Sequence, residues 1–128
     1  MLLPSFPVTA TDFTLATRNG DYLEEISKDP LIYRGYWSAR TIVSLLEISD
    51  KLLPKFSEIK VPFFIAHGDE DKICHLDGSK KFYELSRSSD KTLKVYSGGY
   101  HSLHWEPDGM GTEVLEAIVK WLEERIES

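Results

Sequence analysis

The chain has 128 residues, 41% of them hydrophobic, 12% aromatic and 28% charged. That is enough for one domain with a sizeable core, and too apolar for a disordered chain. Fifteen Lys and Arg against 21 Asp and Glu leave a net charge of −6, and there is one cysteine, Cys74. These values exclude duplex DNA or an anionic bilayer as an electrostatic partner, a disulfide framework and a four-cysteine zinc site.

No apolar run approaches the roughly 20 residues of a membrane-spanning helix. The first residues carry no basic stretch and are broken by Pro4 and Pro7, so no secretory signal is expected and the expected location is cytoplasmic. Residues 1–20 read as a loop or short apolar surface element, with a turn at Asn19-Gly20. Residues 21–28 suit a short helix that Asp29-Pro30 stops, because proline drives its predecessor out of the helical region. From residue 38 to 56, Ile42, Leu45, Leu46, Leu52, Leu53 and Phe56 recur at three and four and line one helix face, which Pro54 ends or kinks.

The character changes near Lys60. Val61-Pro62-Phe63-Phe64-Ile65-Ala66 is an unalternating apolar run, the pattern of a strand covered on both faces in a parallel sheet. Residues 78–88 read as a helix. Lys91-Thr92-Leu93-Lys94-Val95-Tyr96 alternates, as expected of a more exposed strand near an edge. Residues 112–127 form the clearest helix, with Val114, Leu115, Ile118, Val119, Leu122 and Ile126 as its buried stripe. The expected fold class is α/β, divided into residues 1–60 and a β-α-β-α unit at 61–128.

Two parallel strands joined by a helical crossover carry their carboxyl ends to one edge of the sheet, where ligands of open α/β sheets bind. The first strand runs into His67-Gly68-Asp69-Glu70-Asp71 and the second into Gly98-Gly99-Tyr100-His101. Asp71 and His101 lie roughly 30 residues apart, one strand–helix–strand unit. A carboxylate accepting from one ring nitrogen fixes the histidine tautomer and supports its imidazolium, which is the acid–base half of a catalytic triad. His67, Asp69, Asp71, His75, His101 and His104 also raise a metal site, but His67 reads as the end of a buried strand and His104 as packing or bonding locally, and no metal or other cofactor is expected. Cys74 is expected to be an ordinary semi-buried thiol. Trp37 and Trp105 are read as packing residues, with lining of a lipid pocket as the alternative, and Trp121 as core.

The string from Val61 through His67-Gly68-Asp69-Glu70-Asp71 to Cys74 resembles the penultimate strand of an α/β-hydrolase. The string from Asp90 to His104 resembles its last strand and histidine loop. Together with Ser27-Lys28-Asp29-Pro30-Leu31-Ile32-Tyr33-Arg34-Gly35, they look most like monoacylglycerol lipases and lysophospholipase-like esterases. The resemblance covers about residues 20–128. It implies a C-terminal part of the α/β-hydrolase fold: a partial lid, a joining amphipathic helix beside the acyl-chain pocket, then β-α-β-α with parallel strands. It also implies that Asp71 is the triad acid, His101 the triad base, His104 a second non-catalytic histidine of the same loop and Cys74 a cysteine that follows the acid in animal members. The implied substrate is an acylglycerol or lysophospholipid ester. Leu2, Leu3, Phe6 and Val8 are then either a lid remnant in peripheral contact with a membrane or a buried plug.

One departure limits what this chain does by itself. No serine in it has the flanking glycines of a Gly-x-Ser-x-Gly elbow, and no His-Gly-rich oxyanion segment is present. An acid and a base without a nucleophile cannot form an acyl-enzyme. The expectation is a chain inactive alone that self-associates or pairs with an N-terminal half. The alternative is a non-catalytic truncated hydrolase that acts as an assembly or interaction module.

Overall fold

The computed structural model describes residues 4–126. Leu2 and Leu3, and the expected end of the last helix at Glu127, lie outside them. Eight regular elements run in the order β1 (Pro7–Thr9), α1 (Gly20–Lys28), β2 (Trp37–Ser38), α2 (Ala39–Leu52), β3 (Phe63–Gly68), α3 (Leu76–Leu85), β4 (Lys91–Tyr96) and α4 (Met110–Ile126), with short 3₁₀ turns between them. The amino-terminal region is more ordered than its sequence suggests. β1 pairs antiparallel with β2, and a 3₁₀ turn follows at Phe13–Leu15.

Asn19-Gly20 is a helix start and not a turn. Asn19 sits in extended backbone (φ −77°, ψ 103°), and its side chain accepts from the Tyr22 N–H at 3.2 Å. A cap of this kind is worth about 1 kcal/mol, because it satisfies one of the donors that a first helical turn leaves unpaired. At the other end of α1, the Arg34 guanidinium donates to the Ile26 and Asp29 carbonyls, closing the helix that Asp29-Pro30 terminates. Ser38 caps α2 by accepting from the Thr41 N–H at 3.2 Å. Pro54 falls where α2 tightens into the 3₁₀ turn Leu53–Glu58, as its missing N–H requires.

β3 and β4 pair in parallel, from Phe63 opposite Lys91 to Gly68 opposite Tyr96, in a two-stranded sheet. α3 makes the crossover between them. β3 starts two residues later than the apolar run, since Pro62 has no N–H for the ladder, and it continues through His67 and Gly68, which pair with Val95 and Tyr96. The main core lies where α4 meets the sheet. Tyr96, Leu103 and Val114 are buried there, with Ala66, Met110 and Ile118 packed around them. A second cluster joins α3 to β3, with the Phe82 ring 4.8 Å from Phe63 and 4.9 Å from Phe56. Trp121 is half-buried, 6.2 Å from Phe64.

Two expectations of burial fail together. The residues of β3 before Gly68 are half-buried, as are most of β4's, so the first strand is not covered on both faces. The α4 stripe is buried only at Val114, which is 2% exposed, while Leu115 is 51% and Ile126 81% exposed. On α2, Leu45 and Leu46 also face outward. The cause is geometric: periodicity sets which residues share a face, and coverage of that face needs neighbouring layers that these residues do not contain.

This burial map makes a paired prediction. Val114→Ala removes two methyl-sized groups from the packed core and lowers unfolding free energy by about 2 kcal/mol. Leu115→Ala, one residue on, changes it by less than about 0.5 kcal/mol. Urea denaturation of the two variants measures both values.

Candidate active site

The parallel register places the exits of β3 and β4 side by side, and backbone bonds then tie the two exit loops together. The Asp69 N–H donates to the Tyr96 carbonyl at 3.1 Å and the Glu70 N–H to the Gly99 carbonyl at 3.1 Å. The Asp69 side chain accepts from the Gly98 N–H at 2.6 Å. Gly68 allows this approach, because a Cβ there would overlap the Gly99 carbonyl group and crowd the Tyr100 oxygen. Gly98 turns the chain away from β4 at φ 74°, in the left-handed region that favours glycine.

Asp71 and His101 meet within this junction. The Asp71 side chain is only 4% exposed, and its Oδ2 lies 2.9 Å from His101 Nδ1. Its Oδ1 accepts from the Ile73 and Cys74 N–H groups at 2.8 and 2.9 Å, an anion nest made by the acid loop itself. Burial alone would raise the Asp71 pKa. The bonds from the Cys74 N–H, His101 and the Ile73 N–H outweigh it and hold the carboxyl below its ordinary value. An ionised carboxylate only accepts, so His101 Nδ1 carries the proton. Nε2 of the neutral ring is then the basic position. It makes no hydrogen bond to the described residues, and the side chain is 40% exposed.

His67 takes a part that its sequence position did not signal. Its Nε2 donates to the Cys74 carbonyl at 2.9 Å, and its Nδ1 accepts from the Ser79 hydroxyl at 2.8 Å. The same Nε2 is 3.5 Å from Asp71 Oδ2. His67 therefore links the end of β3, the acid loop and the first turns of α3, and braces the loop that presents Asp71. The available signal was a polar ring closing an apolar strand just before the Gly-Asp step.

Cys74 is exposed and not semi-buried as expected. Partial desolvation and the nearby Asp71 charge push its thiol pKa up, the opposite of an activated nucleophile. The His104 ring lies 5.3 Å from that of Trp105. Among the described residues, no group of three or more His, Cys, Asp or Glu could hold a metal ion, so His67, Asp69, Asp71, His75, His101 and His104 do not assemble as ligands. Trp37 Nε1 donates to Thr11 Oγ1 at 2.8 Å. With Leu15, Ile42, Leu45 and Ile73, Trp37 also lines a cleft of about 490 Å³ between α2 and the acid loop. No described helix is long and apolar enough to cross a membrane.

A parallel strand pair that brings a buried carboxylate and a histidine together at its carboxyl edge is the arrangement of an α/β-hydrolase. The family described as serine aminopeptidase, S33, matches residues 1–108, and the chain belongs to it. It is 30% identical to the monoglyceride lipase of Homo sapiens over 125 residues, which is 98% of this chain and 41% of that protein. It is 35% identical to the caffeoylshikimate esterase of Arabidopsis thaliana over 112 residues, 87% of this chain and 34% of that protein. Among solved structures, the monoacylglycerol lipase of Paleococcus ferrophilus superposes with a TM-score of 0.83 at 28% identity, covering 93% of this chain and 46% of that one. A soluble variant of the Saccharomyces cerevisiae monoglyceride lipase, crystallised with a substrate analogue, gives 0.81 at 28% identity, covering 94% and 44%. The chain thus spans less than half the length of the relatives it matches, and its fold is a partial α/β-hydrolase.

The depressed Asp71 pKa has a consequence for stability. A carboxyl whose folded pKa lies below its unfolded value, about 3.9, stabilises the fold above that pH and loses the contribution as pH falls through the folded pKa. The stability advantage of the native chain over Asp71→Asn therefore shrinks as pH is lowered from 5 through about 4 and below. Urea unfolding of the two proteins across that window gives the comparison.

Proposed function

We propose that Asp71 and His101 are the acid and base of a serine ester hydrolase acting on acylglycerol or lysophospholipid esters, and that this chain supplies that pair without the nucleophile. The observation that carries the reading is the 2.9 Å bond from His101 Nδ1 to a buried, otherwise satisfied Asp71, which leaves Nε2 unbonded. In the complete enzyme, Nε2 takes the serine proton as the hydroxyl oxygen attacks the ester carbonyl, and Asp71 supports the imidazolium that forms. The imidazolium returns the proton to the departing alcohol oxygen as the carbon–oxygen bond breaks. Water, deprotonated by the same nitrogen, then releases the fatty acid. The cleft beside the acid loop is lined by Leu15, Trp37, Ile42, Leu45 and Ile73 as well as by Thr9, Thr11 and Asp12, and its apolar side supports an acyl chain as the group bound there. The similarity to monoglyceride lipases favours a lipid ester over a peptide.

Without an acyl-forming serine and its oxyanion donors, the chain alone lacks both the covalent step and the main electrostatic stabilisation. Purified chain is expected to hydrolyse p-nitrophenyl esters no faster than its His101→Ala variant. Joined behind the amino-terminal portion of a monoglyceride lipase carrying Gly-x-Ser-x-Gly, it is expected to cleave long-chain monoacylglycerols, with a loss of about 10⁴-fold or more in kcat on His101→Ala. Turnover by the isolated chain that His101→Ala abolishes would overturn the assignment of a missing nucleophile. A joined enzyme that is active and indifferent to His101→Ala would overturn the base assignment.

A second reading, a truncated hydrolase serving as an assembly module, draws on the apolar faces. Leu115, Val119 and Leu122 on α4 and Val43, Leu46 and Leu52 on α2 are all at least two-fifths exposed, and among the described residues β3 and β4 each have one strand partner. Surfaces and edges of this kind favour association. Light scattering is expected to show a self-associated or paired species, and a cooperatively folding monomer would count against both association and a simple missing half.

A further inference from the structure

We propose that Arg18 and Glu106 are a positioning pair, through which the segment ahead of α1 holds the His101 loop at the distance Asp71 requires. The inference rests on the reading of His101 as the general base and assigns a cause to its placement. Glu106 is five residues beyond His101, and its side chain is wholly buried. Its Oε1 accepts from the Arg18 backbone N–H at 3.0 Å and its Oε2 from Arg18 Nε at 2.6 Å. The bonded residues are 88 positions apart in the chain. A carboxylate without solvent contact is costly unless paired and hydrogen-bonded, so this one fixes where the loop and the segment meet.

Three more contacts make the junction a strap. The Ser102 N–H, directly after His101, donates to the Ala16 carbonyl at 2.7 Å. The Thr17 hydroxyl donates to the Trp105 carbonyl at 3.2 Å, and Thr17 is itself 1% exposed. The Trp105 and Tyr22 rings stack with centroids 4.1 Å apart and planes 12° from parallel. Beneath the loop, Gly111, the second residue of α4, lies so close to it that an added Cβ would stand 2.7 Å from the His104 carbonyl oxygen and 3.0 Å from that of Glu106. His101 is thus held between Asp71 on one side and residues 16–22 on the other. Asp71 fixes the ring end, and the strap fixes the backbone that carries the ring.

The test reads His101 itself. Histidines labelled with ¹⁵N are followed by NMR in the full chain, with His101 assigned through His101→Gln. The observables are the tautomer and the solvent-exchange rate of the Nδ1 proton bonded to Asp71. Arg18→Ala and Glu106→Gln are expected to speed that exchange by roughly tenfold to a hundredfold, the range for losing one charge-assisted hydrogen bond, and to mix the tautomers. Arg18→Lys, which keeps the charge without the guanidinium geometry, is expected to fall between and guards against unfolding of the alanine variant. Trp121→Ala loosens the later turns of α4 against Phe64, near the start of β3 and away from both the strap and the acid loop, and is expected to lower stability without changing the His101 signal, which separates positioning from general destabilisation. An unchanged His101 exchange rate and tautomer in folded Glu106→Gln and Arg18→Lys would overturn the proposal. Absence of a bonded Nδ1 proton in the unaltered chain would overturn the base reading, and the positioning role with it.

Discussion

The register of β3 against β4 is the constraint on which the site depends. Parallel pairing that ends with Gly68 opposite Tyr96 brings two loop exits to one edge, and the loops can close only because Gly68 lacks a side chain where the Gly99 carbonyl passes. A slip of one residue would turn every side chain of one strand to the other face and separate the exits. From that junction, backbone bonds carry Asp69 and Glu70 onto the histidine loop. Asp71 arrives at His101 because of backbone geometry, with little left for side-chain flexibility to decide.

The electrostatics of Asp71 follow from the same loop. A carboxylate 4% exposed pays for desolvation, and here two N–H groups of its own loop and one imidazole N–H offset it. The result is an anion that stays charged and directs the proton of His101 to Nδ1. His67 supports the arrangement from below by tying the Cys74 carbonyl and Ser79 together. The nest, the imidazole and the bracing histidine together define the geometry more closely than the Asp–His pair alone would.

The distribution of apolar surface is consistent with a chain covering 41–46% of the lipases it resembles. The core at Tyr96, Leu103 and Val114 is small, while the outer faces of α2 and α4 keep large aliphatic side chains in the open. In a full α/β-hydrolase layer, further strands and helices cover such faces. The helix periodicity in the sequence is correct as a statement about faces. Burial is a property of what lies opposite them.

The sequence by itself determined the elements whose signals are local: α1 stopped by Asp29-Pro30, α2 tightened at Pro54, β4 by alternation, and the strand–helix–strand spacing that sets Asp71 near His101. These depend on backbone sterics and short-range periodicity, which a few adjacent residues encode. The Asn19 cap on α1 is equally local, since its partner Tyr22 lies three residues on, although Asn19-Gly20 also fits a turn. Only the tertiary structure decided that His67 braces the acid loop, that Cys74 is exposed and that Glu106 is buried against Arg18. Each of those outcomes depends on partners brought together by folding, in the last case from 88 residues away. The pairing energy of a buried charge exists only once the chain has closed around it, and no local pattern of residues records it in advance.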